Sequence, residues 1–371
     1  MAAQIARPAR GRPAAYARVV GLRLLTGAAG IIGVTVLLFA LIQYAPIDPV
    51  AAYLGAANEF ADGPTRARIA ERLGTQLPWW QHWLDWAGGA LRGDWGWSAT
   101  YRRPVAAVFA DRAPWTVLLG AGGLLLAGLA GWAAALAAAR RPGGVLDRLL
   151  NSLAAVVAGT PAFILALAAI AVFAVNLGWA PAGGLTEPGA ALTPAEVLAH
   201  LGLPMLVVAV SAWPQITVHT RAALSDAWQS EAVTGARARG VGEATVLARH
   251  VVPLAAGPSA MVLAARIPEL ITGTVLVESV FGWPGLGQAT VQSALGGDFA
   301  LLAALTVASG AVVVSANLSG DVLGWVLDPR TRPTGRSGRI APRPPASTYA
   351  DAVVGDPVVG DPVIADPEVA R

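Results

Sequence analysis

The sequence predicts an all-α integral membrane protein whose chain crosses a bilayer six times. Three observations predict it. Hydrophobic residues make up 55% of the 371 residues and charged residues only 13%, where soluble domains carry about 25% charged. Six apolar stretches, 22–44, 114–139, 150–177, 201–218, 255–277 and 299–327, are long enough to span, since a spanning helix needs about 20 apolar residues. Between them, the arginines fall on alternate connections. Lysine is absent, and all 26 basic residues are arginine.

Residues 1–20 carry Arg7, Arg10, Arg12 and Arg18, with Arg23 just beyond, and short arginine-rich segments stay in the cytoplasm. They are expected as a cytoplasmic tail ahead of a first spanning helix at 21–45. That stretch is too long for a signal peptide and has no clear cleavage site. Residues 46–113 then form an extracytoplasmic subdomain inserted between helices 1 and 2, with seven arginines against seven acids. Trp79, Trp80, Trp83, Trp86, Trp95 and Trp97 cluster there. Tryptophan favours membrane interfaces, which fits an interfacial helix; a surface on which cargo stacks is the other reading. Residues 114–328 make the transmembrane core. Within it Arg140, Arg141 and Arg148 fall inside, 179–200 has no arginine outside, Arg221, Arg237, Arg239 and Arg249 fall inside, and 281–298 has none outside. After residue 328 the chain turns proline-rich and repeats Asp-Pro, a low-complexity pattern that predicts a disordered tail over 329–371. Its arginines place both termini in the cytoplasm.

The connection at 219–253 is the candidate functional site. A spanning position would cost roughly 2.5–3.5 kcal/mol for each of its charged residues, so it lies on a membrane face. Thr220 to Arg239 is rich in helix formers, Gly240 and Gly242 interrupt, Glu243 opens a second helix with an acid in its first turn, and Pro253 is expected to end it. Helix, glycine turn and helix make a handle that a cytoplasmic partner can grip. The blander alternative is an arginine-rich anchor that fixes topology only.

The spacing of this loop resembles the signature of importer-type ABC transporter permeases: Glu-Ala-Ala, three residues, Gly, nine residues, Ile-x-Leu-Pro. With its glycine on Gly240, its proline falls on Pro253, Thr234, Gly235 and Ala236 stand where Glu-Ala-Ala is usual, and His250 stands for Ile. The literal Glu231-Ala232 lies three residues upstream. Closer is the dipeptide, oligopeptide and nickel permease subfamily, whose Ala-Arg-Ala-Lys-Gly-Leu and Arg-His match Ala236-Arg237-Ala238-Arg239-Gly240-Val241 and Arg249-His250. Phe281-Gly282-Trp283-Pro284-Gly285-Leu286-Gly287, preceded by the acid Glu278, resembles the same subfamily. So do Leu91-Arg92-Gly93-Asp94-Trp95-Gly96, Arg103-Pro104-Val105, Leu177-Gly178-Trp179-Ala180-Pro181 and Leu327-Asp328-Pro329-Arg330. Pro46-Ile47-Asp48-Pro49 replaces the usual Pro-Gly-Asp-Pro. The similarity covers about residues 20 to 332.

The resemblance implies the six-helix type I ABC importer (MetI-like) permease fold in a bacterial inner membrane. It implies a subunit that forms the path for peptides or related small solutes and couples to ATPases through 231–253. The implied partners are a second homologous permease, two ATPase subunits, an extracytoplasmic solute-binding protein and membrane lipid, with no nucleic acid. The coupling residues would be Thr234, Gly235, Ala236, Arg237, Ala238, Arg239, Gly240, Arg249, His250 and Pro253. Small Gly235, Ala236 and Ala238 would allow close docking, and Arg237 and Arg239 would pair with partner acids.

Other residues narrow the function. A phosphate-binding P-loop needs a lysine, so the chain has no ordinary site for ATP hydrolysis and is expected to bind no cofactor, while the resemblance implies ATP and magnesium on partner subunits. Cysteine is absent, and His82, His200, His219 and His250 show no metal spacing. No Gly-x-Ser-x-Gly elbow is present, so an intramembrane enzyme lacks its catalytic groups. Arg266 and Glu269 stand three apart in the fifth stretch with Pro268 between them. Either their face lines the translocation route, or they form a structural ion pair. With Glu278 they are the path candidates. An ion-coupled secondary transporter without ATPase partners is the alternative function, and only Arg266 and Glu269 offer it anything.

Overall fold

The computed structural model describes residues 12–44, 48–72, 74, 77–139 and 141–327. The described residues from Ala17 onward fall in one compact unit, and the architecture that follows is theirs. The expected tail at 329–371 lies outside the described residues, as do Pro46 and Ile47 of the Pro-Ile-Asp-Pro motif.

Helix α1 (Arg12–Gln43) is the first long apolar helix. After it, Asp48 caps α2 (Pro49–Leu54), its carboxylate accepting from the Val50 N–H at 2.9 Å. A short 3₁₀ turn follows, then α3 (Gly63–Arg72) and α4 (Trp79–Leu91). The Arg92-Gly93-Asp94 segment is the turn that ends α4: the Asp94 carboxylate accepts from the Gly96 N–H at 3.0 Å. Two-residue strands β1 (Trp97–Ser98) and β2 (Arg103–Pro104) pair antiparallel, the one departure from an all-α chain among the described residues.

Helix α5 (Val105–Ala139) begins nine residues before the expected second span, because Pro114 is carried inside it. The helix that carries the expected second span therefore starts at Val105. The third stretch is not one helix: α6 (Val145–Ala158) and α7 (Ala162–Ala169), the latter continued by a wider π-helical segment to Asn176, meet at 102°. Gly159 and Pro161 sit at the corner, and proline offers no N–H to carry the helix through. Helix α8 (Pro194–Trp228) contains the fourth stretch and extends it at both ends. Past the loop helices α9 (Glu231–Ala238) and α10 (Glu243–Val246), the fifth stretch is broken as well, into α11 (Val252–Ala265) and α12 (Ile267–Phe281), joined at Arg266. Pro268 lies in the first turn of α12, where a missing N–H costs nothing. Helices α13 (Leu286–Leu295) and α14 (Phe299–Leu327) complete the unit. Five helices are long and apolar enough to cross a membrane, or six if the bent α6–α7 pair is one span.

Small residues set the packing. Gly120, Gly123, Ala127, Gly131, Ala135 and Ala138 form a buried stripe along α5, the small-residue pattern that lets spanning helices approach closely. A Cβ on Gly123 would lie 2.5 Å from Val208 and one on Gly131 2.7 Å from Ile216. Both numbers rise together along the pair, so α5 and α8 run parallel. Gly120 faces Thr274 and Gly128 faces Leu263, so α11 and α12 run the other way. Helix α1 lies antiparallel to α14: Gly27 meets Val314, Gly310 meets Ile31, and Arg23 pairs with Asp321 at 3.0 Å. The bundle thus has a loop end, with the C-termini of α5 and α8, and an opposite end with the hairpin, α4 and α13.

Candidate functional site

At the loop end, α8 stops at Trp228 and Ser230 starts α9. The Ser230 hydroxyl accepts from the Val233 N–H at 3.4 Å and donates to the Ala227 carbonyl at 2.7 Å. The expected single helix from Thr220 to Arg239 is therefore two. Serine competes with the backbone for hydrogen bonds and suits a cap better than a helix interior. Val233 and Ala236 are fully buried with Leu224, Ala227, Val246, Val251, Ala255 and Ala135. One face of α9 is thereby locked onto α8, α5 and the start of α11. Gly240 carries φ +77°, a left-handed turn that glycine enters without a Cβ penalty. Its N–H donates to the Arg237 carbonyl at 2.9 Å and turns the chain into α10.

The structure separates the ten expected coupling residues. Thr234, Ala238, Arg239, Gly240, Arg249 and Pro253 are exposed, and Gly235 and His250 are half-buried. Ala236 belongs to the chain's own core and is not available to a docking partner. Arg237 is engaged within the chain. Its guanidinium donates to both Glu243 oxygens, at 2.7 and 2.9 Å, and stacks 5.0 Å from the Trp228 ring centroid. Hydrogen bonding from Arg237 holds the Glu243 carboxyl below the usual carboxylate range. Pro253 does not end the helix as expected. It sits in the first turn of α11, and the backbone ahead of it widens into a π turn over Leu247–Val251, which accommodates the absent donor.

Two groups beside the loop carry a tie that charge counting alone missed. Asp147, in the first turn of α6, accepts two hydrogen bonds from Arg221 of α8, both at 2.6 Å, and another from the Gly143 N–H at 2.8 Å. Asp147 is 3% exposed. An acid in a first helical turn was the signal available. A cleft of 690 Å³ opens between Arg221, Trp228, Arg237, Glu243 and Leu247.

The three path candidates part company. Arg266, at the α11–α12 junction, lines a 230 Å³ cavity at the α6–α7 corner with Thr160, Ser211, Gln215 and Thr274. Glu269 falls in the first turn of α12, and its side chain lies outside the described residues. Glu278 is fully buried. One carboxylate oxygen accepts from the Thr116 hydroxyl at 2.8 Å, the other from the N–H groups of Gly287 and Gln288 at 2.7 and 3.1 Å. Thr116 in turn accepts from the Leu286 N–H at 2.7 Å. These are the first three N–H groups of α13, whose cap position is Gly285, a residue with no side chain to serve it. The acid and the Trp-Pro-Gly-Leu-Gly segment are thus one device: Glu278 reaches across to cap α13. A Cβ on Gly287 would lie 2.5 Å from the Val275 backbone, so the turn closes only with glycine there. Trp283 is fully buried beneath it, donating to the Trp115 carbonyl at 3.1 Å. Among the described residues no group of three His, Asp or Glu side chains is placed to hold a metal ion.

Comparison with known proteins agrees with this arrangement. Residues 127–333 match the family described as "Binding-protein-dependent transport system inner membrane component". The oligopeptide transport system permease protein AppB of Bacillus subtilis is 32% identical over 301 residues, covering 81% of this chain and 94% of the relative. The di/tripeptide transport system permease protein DppB of Pseudomonas aeruginosa is 29% identical over 337 residues, 85% and 98% of the two chains. The glutathione transport system permease protein GsiC of Escherichia coli is 31% identical over 299 residues, 81% and 94%. With more than half its length matched, the chain belongs to the family of binding-protein-dependent transport system inner membrane components, the permease subunits of ABC importers.

Proposed function

We propose that this permease subunit forms the path for peptides or related small solutes, and that α9, the Gly240 turn and α10 dock on an ATPase at the cytoplasmic face. The observation that carries the reading is the two-sidedness of α9. Val233 and Ala236 fix it to α8 and the start of α11, while Ala232, Thr234 and Ala238 are exposed and small. A partner can approach that outer face closely, and a displacement of α9 passes through its buried face to two spanning helices. Arg239 and Arg249, exposed beside it, would meet acidic groups on the partner, whereas Arg237 fixes the shape of the loop through Glu243.

The same reading places both termini and the loop end in the cytoplasm and the 48–104 insertion outside. ATP and magnesium would be held by two ATPase subunits. A second related permease would complete the path, and an extracytoplasmic binding protein would deliver cargo. The peptide and glutathione transport names of the relatives support the cargo class. Co-expression with the sister permease and ATPases, followed by co-purification and ATPase assay in lipid, tests it. Wild type should assemble; Ala238→Trp, which fills the exposed face, and Gly240→Pro should insert normally yet lose ATPase binding. Variants that assemble and stimulate hydrolysis as wild type does would leave the loop a topology anchor only.

A further inference from the structure

The cavity at the α6–α7 corner carries a charged lining group, Arg266. A larger one of 340 Å³, between α5, α12, α13 and α14, is lined by Val117, Leu124, Ile267, Leu305, Val312 and their neighbours, with no charged group. The corner cavity holds Arg266, a charge that costs roughly 2.5–3.5 kcal/mol to insert at a helix centre. It stands where two broken helices meet, the α6–α7 corner on one side and the α11–α12 junction on the other. Irregular backbone between spanning helices is tolerated where it lines a cavity, and half-helices frame cargo sites in other transporters.

The polar groups around it divide into donors and acceptors. The Thr160 hydroxyl donates to the Val156 carbonyl at 2.8 Å, and the Ser211 hydroxyl to the Val208 carbonyl at 2.9 Å. Their hydrogens are used, so both present oxygen lone pairs to the cavity. Arg266 brings guanidinium N–H groups and Gln215 an amide. A guanidinium has five donors in a planar fork, so a partner inside the chain uses only part of it. The fork matches a carboxylate bidentately. A carboxylate with an amide N–H a few atoms away satisfies both sets at once, and that is the C-terminal unit of a peptide. At 230 Å³ the cavity is below the ~300–1,000 Å³ of sites that enclose a whole small ligand, so it suits one end of a cargo molecule.

We propose that Arg266, with Gln215, Thr160 and Ser211, forms a subsite that engages the free C-terminal carboxylate of a peptide during its passage. This rests on the proposed function and narrows it, since a cargo with a blocked C-terminus would pass without that contact.

The absence of cysteine from the chain gives a direct test. In the full chain within its assembled complex in lipid, Ala212→Cys places one thiol at the cavity wall, and its alkylation by a maleimide is followed with alanyl-alanine or alanyl-alanine amide present. The acid should slow alkylation about tenfold, the consequence of a site mostly occupied, and the amide should not. Arg266→Gln in the same background should abolish the protection and Arg266→Lys should keep part of it. Equal protection by acid and amide, protection that survives Arg266→Gln, or none by either overturns the subsite. So does an Arg266→Gln chain that fails to accumulate until Glu269→Gln is added, with protection unchanged in the double variant, since Arg266 would then serve an ion pair. Uptake of labelled alanyl-alanine separates the two readings. Uptake without protection overturns the subsite and leaves the importer standing, whereas neither uptake nor protection removes the peptide reading together with the subsite.

Discussion

At the loop end, α9 is held by the side chains of Val233 and Ala236 among other aliphatic groups; at the opposite end, α13 is held by two hydrogen bonds to Glu278 and one to Thr116, whose hydroxyl donates in turn to Glu278. Apolar burial is non-directional and roughly proportional to area, so α9 can tilt by small angles and lose little. A buried carboxylate with fixed donors loses the full desolvation penalty if its partners move. The first arrangement suits a part that transmits motion, the second a part that keeps its shape. The difference shows that a charged segment at one end is anchored by apolar side chains, while an uncharged turn at the other end is anchored by a carboxylate.

The comparison breaks first at Glu278. Glu278→Ala strands two backbone N–H groups and the Thr116 hydroxyl in a buried site, and removing one side of such a network costs about 3–5 kcal/mol. The variant should fail to give a folded, monodisperse chain in detergent, whereas Glu278→Gln, which keeps one acceptor, should be recovered with a lowered melting temperature. An alanine variant as stable as wild type would show that the outer turn is not held by its acid.

Asp147→Ala sharpens the comparison, because it asks whether the loop end has a polar lock of its own. Arg221 and the Gly143 N–H would lose a nearly inaccessible acceptor, for a cost of about 2 kcal/mol. Thermal unfolding of the purified chain should register it, and protease sensitivity of the 140–145 connection should rise. Next comes Val233→Ala, which removes two buried methyl groups and should cost about 1–2 kcal/mol, with ATPase stimulation falling more than stability. Gly240→Ala should cost about 1 kcal/mol, the penalty of a left-handed residue with a Cβ. Smallest in stability is Arg237→Ala, since both Arg237 and Glu243 are solvent-exposed and exposed pairs contribute little. Its melting temperature should equal that of wild type while hydrolysis coupled to cargo declines; if neither changes, the pair is incidental.

Much of this molecule was readable along the chain. The number of apolar stretches and the polar loop follow from residue type and length, because a bilayer admits only segments that satisfy their own backbone. Helix interruptions were less readable. Pro114 is absorbed within α5 and Pro253 within the helical run from α10 to α11, while Pro161 marks a 102° corner. Proline removes a donor at each, but whether the helix breaks depends on what packs around it. Glu278 was visible as an acid beside a glycine-rich turn, yet its role required knowing that residues 286–288 fold back onto it. Asp147 and Arg221 are 74 positions apart, and nothing in either neighbourhood announces the other.

What the sequence determined by itself is the protein's solvent, the helical nature of its spans, the place of the loop and the family: properties set by composition, local periodicity and short ordered motifs. What only the tertiary structure decided is which polar groups are spent inside the chain and which remain for a partner or cargo. Ala236 turned inward, Arg237 closed on Glu243, Glu278 became a helix cap and Arg266 came to line a cavity. Each outcome depends on residues distant in sequence being brought within a few ångströms, and hydrogen bonds and close packing act only at that range.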